Sequence, residues 1–272
     1  AKILLFYICF YVGLTGFFVA LLTLFFQTID LKTPKWQMSS GLIGDNPGLG
    51  FRPMPPESHV ESTLIWYKVS EDNYAAWTSK LDAFLQPYRE PNDDVKSQSQ
   101  VCDFDTKESP DRVCQVNIGG WTPCLKDNNY NYHTGAPCIF LKLNKIFGWM
   151  PEFFNDTESL PDNMPEDLRN YINEEKKHNP KALNTVWVSC EGENPADVEN
   201  IGSIQYIPRR GFPGYYFPYR NVGGYLSPII AVWFEKPATG VLINIECKAW
   251  AHNIHHDRAE RRGSVHFELM ID

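Results

Sequence analysis

The chain has 272 residues, 43% of them hydrophobic and 14% aromatic, with 25 basic against 33 acidic side chains and a formal net charge of −8. That acidic balance excludes nucleic acid and disfavours anionic lipid as partners, because both are held by basic surface. The length is enough for one or two domains with a real hydrophobic core, and the Tyr and Trp content favours strands and contact surfaces.

Residues Ile3 to Ile29 carry no charged side chain and lie between Lys2 and Asp30. A helix needs about 20 apolar residues to cross a hydrocarbon core of about 30 Å, so residues 1–30 are predicted to hold a single transmembrane helix. The competing reading is a cleaved secretory signal, whose apolar stretch runs about 7–15 residues to a small-residue cleavage site. This run is longer and ends in Phe25-Phe26-Gln27-Thr28-Ile29, with no small pair. The span has two faces. Cys9, Gly13, Gly16, Ala20, Thr23 and Gln27 form a stripe of small or weakly polar side chains. Tyr7, Tyr11, Leu14 and Phe18 form a bulky stripe, with Phe6 and Phe10 alongside. Small stripes let helix backbones approach closely in a membrane. Lys2 on one flank and Lys32 and Lys35 on the other leave orientation undecided by charge. Six of the seven cysteines and the acceptor Asn155-Asp156-Thr157 follow the span, which predicts a type II arrangement with an extracellular C-terminal body.

Residues 31–60 contain Pro34, Pro47, Pro53, Pro55 and Pro56 with Gly41, Gly44, Gly48 and Gly50. They predict an extended juxtamembrane arm, since proline lacks the ladder donor and glycine weakens regular structure. Trp36, Leu42, Ile43, Leu49 and Phe51 make it too apolar for a free linker, so it lies along the body or a partner near the membrane. Residues 61–272 form the third unit. Strand-like segments recur at Ser62–Val69, Ala136–Leu143, Thr185–Cys190, Gly202–Ile207, Ile229–Phe234, Val241–Trp250 and Ser264–Ile271. Asp72 is placed to cap a helix carrying Tyr74, Trp77, Leu81 and Leu85 that Pro87 stops, and Pro165 suits the first turn of a helix to about Lys177. The expected fold is therefore one transmembrane helix plus a mainly-β ectodomain, an immunoglobulin-like β-sandwich with inserted helices.

Cys9 lies in the span; Cys102, Cys114, Cys124, Cys138, Cys190 and Cys247 remain. Six cysteines outside the cell imply three disulfides with fifteen possible connectivities, and the spacings favour sequential pairing, with Cys190–Cys247 joining two strands of the core. No C-x-x-C pair points to zinc. His252, His255 and His256, beside Asp257 and Arg258, read as a polar turn rather than a metal site. Asp93-Asp94 and Glu174-Glu175 stand in charged runs without the apolar burial that would separate their pKa values for acid and base work. Neither hydrolase nor phosphate-binding motifs occur, so catalytic residues, cofactor and metal are all assigned none. The segment Gly211-Phe212-Pro213-Gly214-Tyr215-Tyr216-Phe217-Pro218-Tyr219 holds five rings that cannot all face a core from one strand, and exposed tyrosine patches suit protein contacts.

Taken in order, Phe6-Tyr7, Phe10-Tyr11, Pro47-Gly48-Leu49, Arg112-Val113-Cys114-Gln115, Trp121, Cys124 and Pro137-Cys138-Ile139 resemble one family. Leu141-Lys142-Leu143-Asn144, Tyr215-Tyr216-Phe217-Pro218-Tyr219 and Ile245-Glu246-Cys247-Lys248-Ala249-Trp250 continue the match. The chain resembles the beta subunit of the Na,K-ATPase and its H,K relatives over nearly its whole length. The resemblance implies a non-catalytic plasma-membrane glycoprotein that assists folding, assembly and delivery of a catalytic alpha subunit and modulates potassium affinity. It implies the three sequential disulfides, a glycan on Asn155, packing of Tyr7, Phe10 and Tyr11 on an alpha-subunit helix, and contact of Tyr215, Tyr216, Pro218 and Tyr219 with an outer loop of that subunit. The small stripe would then face lipid, cholesterol or a small single-span regulatory subunit. Departures are the missing cytoplasmic tail before the span, Leu125-Lys126 after Cys124 where familiar members carry Ser-Gly, the single sequon and the short Cys102–Cys114 loop. Competing readings are an H,K-ATPase beta subunit, a cell-adhesion glycoprotein and a type II carbohydrate enzyme.

Overall fold

The computed structural model describes residues 2–272 apart from 57, 59–61, 71–72, 107, 110, 258–259 and 261. Helix α1, Lys2–Gln27, takes up the uncharged run except for Thr28 and Ile29; its 26 residues span about 39 Å and none is buried. Strand β1, Leu49–Arg52, comes next, then β2, Leu64–Tyr67, and the helices α2, Ala75–Arg89, and α3, Asp93–Gln98. Strands β3, Ser99–Gln100, and β4, Val113–Cys114, form a short parallel pair. Then follow β5 at Cys138–Leu143, α4 at Glu166–His178, β6 at Thr185–Gly192, α5 at Pro195–Asn200 and β7 at Ile204–Ile207. The chain finishes with β8 at Gly211–Pro213, β9 at Ile229–Phe234, β10 at Leu242–Trp250 and β11 at Ser264–Ile271.

Two sheets make a sandwich. One is antiparallel in the order β1-β5-β9-β7; the other runs β2-β11-β10-β6-β8, antiparallel except for the parallel β2–β11 pair. Strand β10 alternates, burying Ile243, Ile245, Cys247 and Ala249 and turning Asn244, Glu246 and Lys248 outward. Strand β5 is apolar almost throughout because it lies inside its sheet. The sheets meet through aromatic rings: Phe267 on β11 stacks on Phe51 of β1 at 5.0 Å and meets Phe234 of β9 edge-on at 6.2 Å. A second apolar cluster, holding Leu168 and Ile172 of α4 with Trp187 and Trp250, seats that helix on the opposite side of β6 and β10.

The sandwich with inserted helices is the expected architecture, with differences in detail. The arm expected over 31–60 ends in β1, which pairs with β5 from Leu49↔Leu143 to Arg52↔Phe140. Pro87 does not stop α2. The helix continues to Arg89, since Pro87 forfeits a single bond in the last turn while Tyr88 and Arg89 are pinned by tertiary bonds. The Tyr88 hydroxyl donates to Ser227 O at 2.9 Å, and Arg89 donates to the Tyr130 hydroxyl at 2.7 Å. Pro165 stands just outside α4 as its N-cap residue. The proposed cap Asp72 lies outside the described residues, as does Arg258 of the histidine turn. That turn is not simply solvated: the His252 ring packs on Phe154 at 4.1 Å and the half-buried His256 packs on Trp250 at 4.6 Å. Cys190–Cys247 joins directly opposed residues of β6 and β10. The immunoglobulin bridge crosses between sheets, whereas this one lies within a sheet.

Candidate partner interface

The residues predicted to meet a partner fall on two elements. On α1, Tyr7, Phe10 and Tyr11 keep 52%, 52% and 57% of their surface open. Helical spacing of three and four brings their rings together. Tyr7 stacks on Tyr11 at 6.3 Å, Phe6 stacks on Phe10 at 6.4 Å, and Phe10 meets Tyr11 edge-on at 5.4 Å. The small stripe is equally open, for a Cβ added at Gly13 or Gly16 would meet nothing within 4 Å.

The ectodomain segment is held in place from several directions. Gly211 belongs to β8 and sits so close to β6 that a Cβ would lie 2.3 Å from Val186 O, which requires glycine. Phe212 is fully buried, so of the five rings expected to crowd a surface this one belongs to the core. Gly214–Tyr216 then form a single tight 3-10 turn. The Tyr216 hydroxyl donates to Gln115 O at 3.2 Å, and the Tyr215 carbonyl oxygen lies 3.2 Å from Cys114 Sγ. The Tyr215 ring meets Tyr216 at 4.6 Å and Phe104 edge-on at 5.4 Å. Phe217 packs edge-on against Trp149 at 5.5 Å and precedes the cis bond to Pro218. Tyr219 bridges to Phe147 and packs on Tyr225 at 4.7 Å, with the Lys145 ammonium over both rings at 5.0 and 5.8 Å. Its hydroxyl donates to Asn221 Oδ1 at 2.8 Å, and Asn221 Nδ2 donates to Lys32 O at 3.2 Å. That last bond ties the segment to the chain just beyond the span.

A cavity of about 390 Å³ opens here, lined by Phe104, Glu108, Tyr215, Phe217, Pro218 and Arg220. Burial pushes the Tyr216 and Tyr225 phenols well above their ordinary range, which keeps them neutral. Burial also raises the Glu108 carboxyl, with Arg220 pulling against it. The surface therefore offers ring faces, half-buried phenols and an ammonium, a composition suited to a desolvated protein contact.

Tyr215, Tyr216, Pro218 and Tyr219 thus lie together, while Tyr7, Phe10 and Tyr11 lie on the first three turns of α1, about 24 Å or more from its end. Sequence reasoning missed Lys145, Phe147, Trp149 and Tyr225, which complete the ectodomain patch. The one advance signal, for Phe147 and Trp149, was aromatic content just after the strand that ends at Leu143. The six ectodomain cysteines pair as Cys102–Cys114, Cys124–Cys138 and Cys190–Cys247. Asn155 is exposed, and Thr157 of its sequon accepts from Lys176 Nζ at 3.1 Å.

A family model described as the sodium / potassium ATPase beta chain matches residues 1–267. The sodium/potassium-transporting ATPase subunit beta-2 of Drosophila melanogaster is 55% identical over 275 residues, covering 100% of this chain and 85% of its own length. Subunit beta-1 of the same species is 42% identical, covering 100% of this chain and 86% of its own length. Human subunit beta-2 is 30% identical over 292 residues, covering 100% and 87%.

Proposed function

Because the chain belongs to the sodium/potassium ATPase beta chain family, we propose that it is the non-catalytic, membrane-anchored subunit of a sodium/potassium-transporting P-type ATPase. Its work is assembly. The subunit covers polar or irregular parts of the catalytic alpha chain that lipid cannot satisfy, and the complex is stabilised by mass action. The observation that carries the reading is the pair of aromatic surfaces, one open on α1 and one on a fixed ectodomain segment beside the membrane. Tyr7, Phe10 and Tyr11 serve contact within the bilayer; Tyr215, Tyr216, Pro218 and Tyr219 serve contact outside it. The small stripe through Gly13 and Gly16 faces lipid or a small single-span subunit. Relatives named for sodium and potassium transport favour that pump over a proton-pumping one.

The chain adopts a type II topology in the plasma membrane, which six bridged ectodomain cysteines and the exposed Asn155 support. Endoglycosidase sensitivity that disappears in Asn155→Gln reads both the modification and the sidedness. Modulation of potassium affinity follows wherever these contacts differ between pump conformations. The test of the interface is co-purification of the catalytic chain in mild detergent. Tyr215→Ala with Tyr216→Ala weakens recovery while the three disulfides still form; undiminished recovery removes the segment from the interface.

A further inference from the structure

The proposed contacts leave one apolar feature unused. Leu31, Trp36, Leu42 and Ile43 of the arm are 94%, 56%, 109% and 80% exposed. Trp36, Leu42 and Ile43 line a cavity of about 620 Å³ with Lys145, Ile146 and Phe147. Four large apolar side chains held open on one short loop would be costly in water.

The position of the loop is set by its ties to the span. Asp30 turns the chain as soon as α1 ends, accepting from Lys32 N at 2.9 Å and Thr33 Oγ1 at 2.7 Å. Lys35 Nζ then reaches back to donate to Thr28 Oγ1 at 3.1 Å, so the loop begins at the level of the last helical turn. The same lysine lies over the Trp36 ring, its ammonium 5.5 Å from the centroid. Gln37 Nε2 donates to Pro34 O, and Ser40 Oγ to Gln37 O, which closes a compact turn and pushes Leu42 and Ile43 outward. A tryptophan and a lysine at the end of a membrane helix, followed by bare aliphatic side chains, match the composition of the headgroup boundary.

We propose that the Trp36–Ile43 loop is a second membrane contact, seating its aliphatic tip in the lipid of the outer leaflet beside α1. The inference rests on α1 spanning the bilayer. Continuity with the lipid-facing helix selects lipid over another protein, and the acidic net charge of −8 points to a zwitterionic surface. The loop then fixes both the height and the tilt of the ectodomain, so that the Tyr219–Asn221–Lys32 link is presented at a constant distance from the membrane.

The test uses the full chain in phosphatidylcholine vesicles, alone and assembled with the catalytic subunit, carrying a fluorophore on Leu42→Cys in a Cys9→Ala background. Lipids brominated near the glycerol end should quench most of the emission in both preparations, while aqueous iodide should not. A label on Val101→Cys, 79% exposed, should show the opposite pattern. Quenching of the Leu42 label by iodide alone overturns the proposal, as does protection from both quenchers once the catalytic chain is present, which would make that chain the occupant. The otherwise unaltered chain labelled at Cys9 separates the premises. If bromolipids fail to quench Cys9, the spanning reading fails; if they quench Cys9 but not position 42, only the loop contact fails.

Discussion

Replacing Cys190 and Cys247 together by alanine should destabilise the protein more than removing either other bridge. The bridge closes a sequence separation of 57, against 12 for Cys102–Cys114 and 14 for Cys124–Cys138. On the chain-entropy relation those separations correspond to about 4, 3 and 3 kcal/mol at 25 °C. Packing widens the gap over Cys102–Cys114 alone, since Cys124 and Cys138 are as deeply buried at 2% and 0% and differ from Cys190–Cys247 only in loop length. Cys190 and Cys247 are 5% and 0% exposed between central strands of the larger sheet, so losing two sulfur atoms leaves a void costing about 1 kcal/mol more. Cys102–Cys114 staples the peripheral β3–β4 pair, and Cys102 is only half-buried. Its loss should act locally, loosening the Cys114 contact with Tyr215 and weakening recovery of the catalytic chain with a smaller change in global stability. The assay is urea unfolding of the oxidised full chain in nonionic detergent, followed by tryptophan fluorescence, for the parent and the three double variants. Equal losses, or a loss below about 1 kcal/mol for Cys190→Ala/Cys247→Ala, would refute the assignment of that bridge as the principal constraint.

Two further outcomes are expected. Phe267→Ala removes a fully buried ring that touches both Phe51 and Phe234 and should cost about 3–5 kcal/mol in the same unfolding assay, whereas Phe267→Leu should cost less than about 1.5 kcal/mol. His256 has its pKa lowered, chiefly by burial, so the unfolded chain takes up the proton first. Stability is therefore expected to fall as pH drops below the ordinary imidazole value of about 6.5, and His256→Gln should flatten that part of the stability–pH profile.

Much of the fold was legible because its strongest elements obey one physical rule each. Ile3 to Ile29 is uninterrupted and uncharged; Trp77, Leu81 and Leu85 recur at helical spacing; β9 is rich in β-branched side chains and β10 alternates. Four strands escaped notice: β3 and β4 are two-residue strands of a separate pair, and β1 and β8 are edges of the sandwich sheets. An edge strand leaves one row of backbone donors unused, so Pro213 in β8 and Pro53 immediately after β1 are tolerated where they would break an inner strand. The aromatic segment was legible as a group and not as an arrangement. Its neighbours Phe104, Gln115, Lys145 and Trp149 come from distant parts of the chain, and no periodicity links them. The same limit applies to His252, whose ring partner Phe154 lies 98 residues away and helps turn an apparent surface turn into a packed corner.

The parallel pairing of β2 with β11 sets a timetable for biosynthesis. Beside it, Thr63 Oγ1 donates to Glu268 Oε2 across 205 positions of sequence. While the ribosome is still extending the chain, β2 has no neighbour to bond with, and closing so long a loop is slow. The larger sheet is completed only after residues 264–271 have emerged, long after α1 is available to the bilayer. Newly made molecules therefore pass through a period in which they are tethered to the membrane and unfinished outside it, and a companion that recognises the closed sandwich will ignore them until that period ends.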